Sequence, residues 1–549
     1  MPEVREGEDK LASGANTRGR GWEEEQKEIT DGKRRQAGSV SHPFPSCLPV
    51  NLLGCQCSGS HHLLLDRVSQ ILQDHGHNVT MLQQRGNSLI PDFKGKETSY
   101  QVIPWLPPED YNKELKNNIE FFLEEALVDR NTFGNFLKLM EVLALQCSHF
   151  LRRSDIMDSL KKENFDLVIV ENFDYCPFII AENLGKPFVS ILSSLFGAID
   201  FGLPSPLSYV PVFNSLLTDH MDFWGRVKNV LMFFDFTMKQ RQVQSTYENT
   251  IKQHFPEGSR LVLSHLLEKA ELWFVNCDFA LEFARPLLPN TVYVGGLMAR
   301  PVEPVPQEFE NFIAKFGDSG FVLVGLGSMV STFQTQELLR EMNSAFAHLS
   351  QGVIWKYKPS HWPKDINLAA NVKLVDWLPQ NDLLAHPRIR LFVTHGGMNS
   401  IMEAIQHGVP MVGIPFFGDQ PENLNRVVAK KFCVSIQLKQ IKGETLAVKM
   451  KQVIEDKRYK SAVVAASIIR HSHPLPPAQR LVGWIDHILQ TGGAAHLKPH
   501  ALQQLWHEQY LLDVVLFLLV VTLGTLWLCG KLLGIMARWL CGARKLKKA

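Results

Sequence analysis

Residues 392–423 decide the fold, and they read Phe392-Val-Thr-His395-Gly-Gly-Met-Asn399-Ser-Ile-Met-Glu403 and, further on, Pro410-Met-Val-Gly-Ile-Pro-Phe-Phe417-Gly-Asp-Gln-Pro-Glu-Asn423. The apolar run at 389–393 predicts a β-strand, the paired glycines predict a tight turn, and a helical pattern follows from about residue 399. At such a turn the first N–H groups of the helix lack intrahelical partners and lie at its positive end. The stretch therefore predicts an anion-binding strand–turn–helix unit.

The polar side chains of this stretch suit the parts of a nucleotide sugar. Donors at the turn suit a diphosphate, a carboxylate one helical turn later suits ribose hydroxyls, and an acid–amide pair after the next strand suits a sugar. In that order, these residues are His395, Gly397, Asn399 and Ser400, then Glu403, then Asp419 and Gln420.

Residues 392–423 resemble the signature of the UDP-glycosyltransferases, the superfamily that includes the UDP-glucuronosyltransferases. Upstream, Trp377-Leu-Pro-Gln380 is similar to the Trp-x-Pro-Gln start of that signature. The resemblance implies that Trp377 stacks on uracil and that Gln380 contacts the nucleoside. It also implies that Gly327 and Ser328, in a Leu-Gly-Ser turn, contact the diphosphate.

The resemblance extends from residue 60 to the C-terminus and is closest to the mammalian family 3 branch, which uses neutral UDP-sugars. It implies the GT-B fold, in which two doubly wound, Rossmann-like α/β domains face each other across a cleft. We expect an acceptor-binding domain at 51–285, a linker rich in Pro and Gly at 286–306, and a UDP-sugar-binding domain at 307–495.

Alternating helices and short apolar strands favour the same α/β class. A helix is expected at 62–74, and the resemblance implies that another, at 479–489, crosses back to the first domain. Strands are expected at 78–82, 100–103, 165–170 and 187–192, and then at 321–326, 353–357, 372–375, 389–393, 410–414 and 433–438.

The resemblance also implies a catalytic base. Gly59-Ser60-His61 is similar to the family's Gly-Ser-His loop, so His61 is expected to deprotonate an acceptor hydroxyl whose oxygen inverts the anomeric carbon. The adjacent His62 is the alternative. Relatives orient this His with an Asp at the end of the strand at 165–170. This chain has Glu171 there, so we expect Glu171 to take that role, with Asp174 in reserve.

Two positions bear on the sugar. Glucuronosyl-using relatives have Arg, the best partner for a carboxylate, at the position of Asn276. Phe417 offers an apolar wall rather than a donor for an acetamido group. Both favour a neutral sugar such as glucose or xylose, with N-acetylglucosamine as the alternative. Aromatic residues between 196 and 236 predict an apolar pocket for a small lipophilic alcohol or phenol.

Composition narrows the class of protein. The net charge of +1 gives no reason to expect a nucleic-acid partner, and none of the nine cysteines has the spacing of a zinc site. We therefore expect no metal. Without a metal, the helix end near Asn399, with His395 and Ser328, is expected to offset the diphosphate charge. The UDP-sugar is a co-substrate, and no cofactor is expected.

Residues 511–530 predict a membrane-spanning helix, because they approach the roughly 20 apolar residues that a span requires. The tail at 531–549 is basic, which marks the cytosolic flank. Lys545-Leu-Lys547-Lys-Ala549 also fits a Lys-x-Lys-x-x retrieval signal. We expect a single-pass protein of the endoplasmic reticulum membrane, in contact with lipid, with lumenal catalytic domains.

Residues 1–50 do not fit that topology. Residues 1–40 are charged and poor in large apolar groups, which predicts disorder rather than a signal peptide. We expect an alternative first exon or a mispredicted gene start, with residues 48–57 standing in for the first strand. This favours, as the alternative function, an impaired UDP-sugar-binding protein that regulates active relatives. Both homo- and hetero-oligomers remain open. A dinucleotide oxidoreductase is disfavoured, because the Gly-x-Gly-x-x-Gly motif with its acidic partner is missing from the sequence.

Overall fold

The computed structural model describes residues 50–55, 60–85, 99–128, 130, 132–195, 197, 200–256, 259, 261–327 and 334–546. The expected N-terminal segment at 1–50 lies outside this part of the chain except for Val50. Ser328, expected to contact the diphosphate, also lies outside it.

The first sheet is built from short strands whose central members are apolar and buried on both faces, as parallel strands between two layers of helices must be. The edge strand at residues 101–105 is only partly buried. The strands are β1 (Asn51–Cys55), β2 (Asn78–Gln84), β3 (Gln101–Trp105), β4 (Leu167–Glu171), β5 (Phe188–Leu192), β6 (Trp273–Val275) and β7 (Thr291–Tyr293). All neighbouring pairs are parallel, in the order β3-β2-β1-β4-β5-β6-β7.

The second sheet follows the same principle. Its strands are β8 (Phe321–Gly325), β9 (Gly352–Lys356), β10 (Val372–Val375), β11 (Ile389–Thr394), β12 (Met411–Gly413) and β13 (Cys433–Ser435). They are parallel, in the order β10-β9-β8-β11-β12-β13. The expected architecture of two doubly wound sheets is confirmed.

Helices connect and cover the strands. They are α1 (Ser60–Asp74), α2 (Glu109–Leu127), α3 (Phe133–Leu151), α4 (Ser154–Lys162), α5 (Cys176–Leu184), α6 (Phe223–Ser245), α7 (Glu248–His254), α8 (Leu263–Glu268), α9 (Gln307–Ile313), α10 (Gln336–Ala347), α11 (Gln380–Ala385), α12 (Met398–Gln406), α13 (Gln420–Ala429), α14 (Gly443–Glu455), α15 (Lys457–His471), α16 (Pro477–Thr491), α17 (Trp506–Gln509) and α18 (Leu512–Leu546).

The core has separate layers on the two faces of the first sheet, because successive strand residues point to opposite sides. Leu52 and Ile169 belong to one layer, together with Ile485 of α16. Val168 belongs to the other layer, together with Phe178 of α5. Helix α16 therefore packs against the first sheet although it follows the second in sequence, as the resemblance implies.

Each sheet has one point at which its strand order reverses. In the first sheet, β1 and β4 are the neighbours at this switch point, and in the second sheet they are β8 and β11. In open α/β sheets, ligands bind outside the carboxyl ends of the strands at such points. His61 follows β1 and Glu171 ends β4, while Gly327 follows β8 and His395 follows β11.

Two strands depart from the sequence-based expectations. β6 and β7 extend the first sheet, and β7 lies within residues 286–306, the expected linker. Each has only three residues, too short an apolar run for its periodicity to be recognised. The expected first strand is β1, residues 51–55 of the predicted 48–57, and it lies between β2 and β4.

A disulfide that the cysteine spacing did not reveal joins Cys147 of α3 to Cys176, the first residue of α5, with Cα atoms 5.3 Å apart. It fastens α3 to the segment just after Glu171. Disulfides are typical of oxidising compartments such as the lumen of the endoplasmic reticulum.

The C-terminal helix α18 is a candidate membrane anchor. Within it, Leu512–Trp539 is long and apolar enough to cross a membrane, with a mean hydropathy of 2.4 and none of its most apolar window buried. The helix is longer than the expected 511–530 because it continues through Lys531 and Arg538.

Candidate active site

His61 and Glu171 form a hydrogen-bonded pair at the first switch point. His61 Nδ1 lies 2.7 Å from Glu171 Oε1. Glu171 is only 1% exposed, and its Oε2 accepts a hydrogen bond of 2.9 Å from the N–H of Phe173. A carboxylate held in this way fixes the orientation of the imidazole ring. It assigns the Nδ1 proton to the shared bond and leaves Nε2 able to accept another proton.

The charges around His61 favour its protonated form. Burial lowers the pKa of His61, but the charge and hydrogen bond of Glu171, and then the charge of Asp419, outweigh this and raise the pKa above its ordinary value. Asp419 belongs to the second half of the chain, so a carboxylate from each half acts on the same imidazole. Stabilising the imidazolium is what a general base requires once it has taken a proton.

The two alternative residues have other surroundings. His62 is buried, and this burial lowers its pKa. Oδ1 of Asp174 accepts hydrogen bonds from the Tyr247 hydroxyl at 2.7 Å and from the N–H of Cys176 at 2.9 Å. Burial raises the pKa of Asp174 to about 6. The structure therefore brings Glu171, rather than Asp174, to His61.

Glycines surround His395 at the second switch point. A Cβ on Gly397 would lie 2.4 Å from His395 Nε2, and one on Gly327, which has a φ of +87°, would lie 2.9 Å from it. A Cβ on Gly396 would meet Leu424 at 2.6 Å. Gly397 is the N-cap of α12 and makes no side-chain cap, so the first N–H groups of that helix remain available to an anion.

Asn399 connects the two halves of the site. Its Oδ1 accepts a hydrogen bond of 2.7 Å from Asn276 Nδ2, and its Nδ2 donates one of 3.4 Å to the carbonyl of Ser60. The side-chain oxygen of Asn276 accepts from the N–H of Gly296 at 3.2 Å. Because Ser60 precedes His61, the Asn399 side chain connects the start of α12 to the segment that carries His61.

Gln380, Ser400 and Glu403 form a polar cluster beside the glycine turn. Gln380 Nε2 donates to Ser400 Oγ at 3.2 Å and to Glu403 Oε2 at 2.5 Å. Burial raises the pKa of Glu403 to about 7, although the hydrogen bond from Gln380 acts in the opposite direction. A carboxyl group with this pKa can either donate to or accept from a ribose hydroxyl near neutral pH.

Trp377 presents an exposed ring, as base stacking requires, with 54% of the residue exposed. Lys356, the last residue of β9, places Nζ 4.3 Å from the centre of this ring. Burial lowers the pKa of Lys356 to about 8. Lys356 was not among the residues predicted from the sequence, although a basic residue at the carboxyl end of a predicted strand was a usable signal.

Asp419 and Gln420 are held at the start of α13. Asp419 Oδ2 accepts a hydrogen bond of 2.8 Å from Asn423 Nδ2, which also donates to the carbonyl of Gly396 at 3.0 Å. Gln420 Oε1 accepts from the N–H groups of residues 416 and 417, at 2.9 and 3.3 Å. The Gln420 oxygen is thus engaged within the protein, so the residue would meet a ligand as a hydrogen-bond donor through its NH₂ group. Asn423 is a positioning residue that the sequence analysis missed.

Two aromatic contacts lie in this part of the structure, one at His61 and one between the two halves of the chain. The Phe173 ring centre lies 5.2 Å from that of His61. The rings of Phe417 and Phe122 meet edge-on at 5.9 Å and join the apolar walls of the two halves.

Comparison with known proteins identifies the family to which this chain belongs. The family model described as "UDP-glucoronosyl and UDP-glucosyl transferase" matches residues 50–547. The chain belongs to this family. It is similar to UDP-glucuronosyltransferase 3A1 of Bos taurus, with 75% identity over 502 residues that cover 91% of this chain and 95% of the relative. It is also 74% identical to UDP-glucuronosyltransferase 3A2 of Homo sapiens over 490 residues, 89% of this chain and 94% of the relative.

Solved structures confirm the GT-B fold of this UDP-glycosyltransferase. The glycotransferase of kitacinnamycin superposes with a TM-score of 0.56 at 17% identity, covering 80% of this chain and 98% of that one. The calicheamicin glycosyltransferase CalG4 gives a TM-score of 0.55 at 18% identity, covering 81% and 99%. These structures show the fold, whereas the family match and the two relatives show that the chain is a UDP-glycosyltransferase of the 3A type.

Two basic residues near the glycine turn differ in charge. Burial lowers the pKa of His395 to about 4, so the imidazole is neutral near pH 7 and offers one hydrogen bond rather than a positive charge. Lys356 lies close enough to His395 to help lower that pKa. Near this turn the positive charge therefore comes from Lys356 and the positive end of α12, not from His395.

Proposed function

We propose that this transferase moves a neutral sugar, glucose or xylose, from its UDP conjugate to a hydroxyl group of a small lipophilic acceptor, with inversion at the anomeric carbon. The observation that carries this proposal is the 2.7 Å bond between His61 and Glu171 at the switch point of the first sheet, opposite the glycine turn of the second.

The proposed reaction is a single displacement. His61 Nε2 takes the proton of the acceptor hydroxyl while its oxygen forms a bond to the anomeric carbon. The bond from that carbon to the UDP oxygen breaks on the opposite face, and UDP leaves with the electron pair. Buried Glu171 stabilises the resulting imidazolium, and the N–H groups at the start of α12 face the charge that develops on UDP.

The donor is proposed to lie along the second switch point. Trp377 stacks on uracil, while Gln380 and Glu403 contact the nucleoside and its ribose. The glycine turn at residues 395–397 receives the diphosphate, and Asp419 and Gln420 receive the sugar hydroxyls. Gly327 allows the close approach, and Ser400 supports Gln380.

A neutral sugar is favoured by the surroundings of Asn276. This residue is fully buried, and its amide is engaged on one side by Asn399 and on the other by Gly296. It offers no cation to a carboxylate, for which Arg is the best partner. The relatives named above are called glucuronosyltransferases, so UDP-glucuronic acid belongs in the test beside UDP-N-acetylglucosamine.

The acceptor is proposed to lie against Phe173, Phe122 and Phe417. The cavity next to Phe236, in the aromatic region expected to form the pocket, has a volume of only about 60 Å³. Pockets for drug-sized molecules measure roughly 300–1,000 Å³, so that cavity is too small for a steroid or flavonoid. The aromatic walls beside the base suit such acceptors better.

The proposed location is the endoplasmic reticulum membrane, with the two sheets in the lumen and the tail in the cytosol. The support is the basic flank after the apolar part of α18 and the Cys147–Cys176 disulfide, which suits an oxidising compartment. A protease added to sealed microsomes should remove a tag at the C-terminus and leave the residues before α18 intact. Cleavage within the two sheets would contradict this orientation.

The reaction is tested in microsomes that contain the full chain. Each of four donors, UDP-glucose, UDP-xylose, UDP-N-acetylglucosamine and UDP-glucuronic acid, is supplied with a mixed pool of phenols and steroids, and the products are detected by mass spectrometry. Hexose or pentose conjugates are expected. His61→Ala should lower turnover by at least about a hundred-fold without weakening UDP binding.

His348→Ala is the matched control, because His348 is exposed and its Nδ1 lies 2.7 Å from the carbonyl of Ser344 in its own helix. It should have wild-type activity. Glucuronides as the main product would overturn the neutral-sugar proposal. UDP binding without product from any donor would favour the regulatory protein instead.

A further inference from the structure

Three metal-ligating side chains converge far from the reaction site. His75 and His77 lie in the turn between α1 and β2, and Asp486 lies on α16. Their ligand atoms lie within 4.8 Å of one another. The cluster thus connects the turn between α1 and β2 to α16, the helix that follows the second sheet in sequence and packs against the first.

The distances suit coordination to a common ion. His75 Nε2 lies 3.2 Å from Asp486 Oδ2, and His77 Nε2 lies 3.1 Å from Asp486 Oδ1. Neighbouring ligands of a tetrahedral zinc ion with bonds of about 2.0–2.1 Å are roughly 3.3 Å apart. Small side-chain rotations are therefore enough to place all three ligands on one ion.

His77 is a buried imidazole that faces Asp486. The residue is 2% exposed, and its Nε2 lies in direct contact with Asp486 Oδ1, at 3.1 Å. A neutral imidazole nitrogen and a carboxylate oxygen are both metal ligands, and a cation between these two atoms would bind to both.

We propose that His75, His77 and Asp486 bind a divalent transition-metal ion of the zinc class, which ties α16 to the turn between α1 and β2. Two imidazoles with one carboxylate form a ligand set typical of zinc, whereas magnesium and calcium prefer sites made of oxygen atoms. The half-exposed His75 gives an ion access from solvent and leaves room for water as a fourth ligand.

The ion has a structural role. His61 is near the beginning of α1 and His75 follows its end, so the 15 residues of that helix separate the two sites by roughly 22 Å. The ion therefore does not reach the reacting atoms. Because α16 packs against the first sheet, fixing α16 restricts movement of the two halves relative to each other. The cysteine spacing contains no information on this site, since it has no cysteine ligand.

The test is a zinc titration of the full chain in detergent micelles, after treatment with a chelator, with zinc content measured by mass spectrometry. About one zinc ion per chain and a higher thermal midpoint are expected for the wild type. His75→Ala, which changes a half-exposed side chain, should weaken zinc binding by about ten-fold or more. Asp486→Asn should do the same, and cobalt should give d–d absorption bands that His75→Ala reduces.

The control is the double variant H487A/H496A. The half-buried His487 and the exposed His496 form a separate pair, with their Nε2 atoms 3.0 Å apart, so their loss should leave zinc binding unchanged. The proposal is overturned if His75→Ala binds zinc as tightly as the wild type, or if only the double variant loses zinc. It is also overturned if the wild type binds no zinc, or binds magnesium equally well.

Discussion

The half of the site at the first sheet depends on two side chains, whereas the half at the second sheet depends mainly on backbone. His61 and Glu171 are separated by 110 residues and meet because β1 and β4 are neighbours. The glycine turn and the start of α12 come from one continuous stretch, and their main contribution is N–H groups.

This difference predicts how substitutions affect the function of each half of the site. A side-chain pair loses its chemistry when one charge is removed, while the fold and the ligand site opposite remain. A backbone turn is insensitive to charge but fails when a side chain fills the space. The link between the halves is Asn399, which contacts Asn276 and the carbonyl of Ser60. Variants on either side should therefore separate chemistry from donor binding.

The largest effect is expected from Glu171→Gln. The amide can still hold the His61 ring but cannot stabilise imidazolium, so kcat should fall by roughly 10²- to 10⁴-fold. His61 works as the neutral base, so activity is lost as the pH falls through its pKa, which Glu171 raises. Without that carboxylate the pKa drops, and the acid limb of the kcat/KM profile should move to lower pH.

Asp174→Asn is the matched control for this change, because Asp174 is also a buried carboxyl but bonds to Tyr247 and to the N–H of Cys176. Its acid limb should stay at the wild-type pH, while its thermal stability falls. An acid limb that stays in place in Glu171→Gln would show that another group sets the pH dependence.

The donor half was the easier one to predict, for a physical reason. Asn399 and Glu403 are one helical turn apart, so their shared face follows from helix geometry alone. The bond between Asn276 and Asn399 spans 123 residues and depends on how the two sheets pack. The Cys147–Cys176 disulfide likewise depends on the packing of α3 and α5.

Lys356 and β7 are two features that the local sequence pattern could not predict. At the end of β9, Lys356 looks like any charged strand terminus until the strand order places it beside Trp377. β7 is too short to be recognised and becomes a strand only because β6 is there to pair with it. In both cases the information lies in the neighbouring element rather than in the local pattern.

A smaller effect, confined to the donor half, is expected from Gly397→Ala. The added Cβ would lie 2.4 Å from His395 Nε2, so His395 must move and the turn must open. UDP affinity, measured by calorimetry, should fall by about ten- to a hundred-fold, because the anion depends on close backbone approach. The pH of the acid limb should not change.

Gly483→Ala in α16 is the matched substitution, because a Cβ there meets nothing within 4 Å. It should leave UDP affinity unchanged and raise helix stability slightly. Equal losses of UDP affinity in both variants would mean that Gly397→Ala acts through general destabilisation, and the contrast between the two halves would lose its support.

The smallest effect is expected from Lys356→Met, which keeps the apolar contact with Trp377 but removes the charge. UDP should bind about three- to ten-fold more weakly at pH 7, while uridine, which has no diphosphate, should bind as before. Because burial lowers the pKa of Lys356 to about 8, the wild type should lose this advantage as the pH rises through that value. If uridine weakens equally, Lys356 acts on the stacking face of Trp377, and the backbone of the glycine turn alone binds the diphosphate.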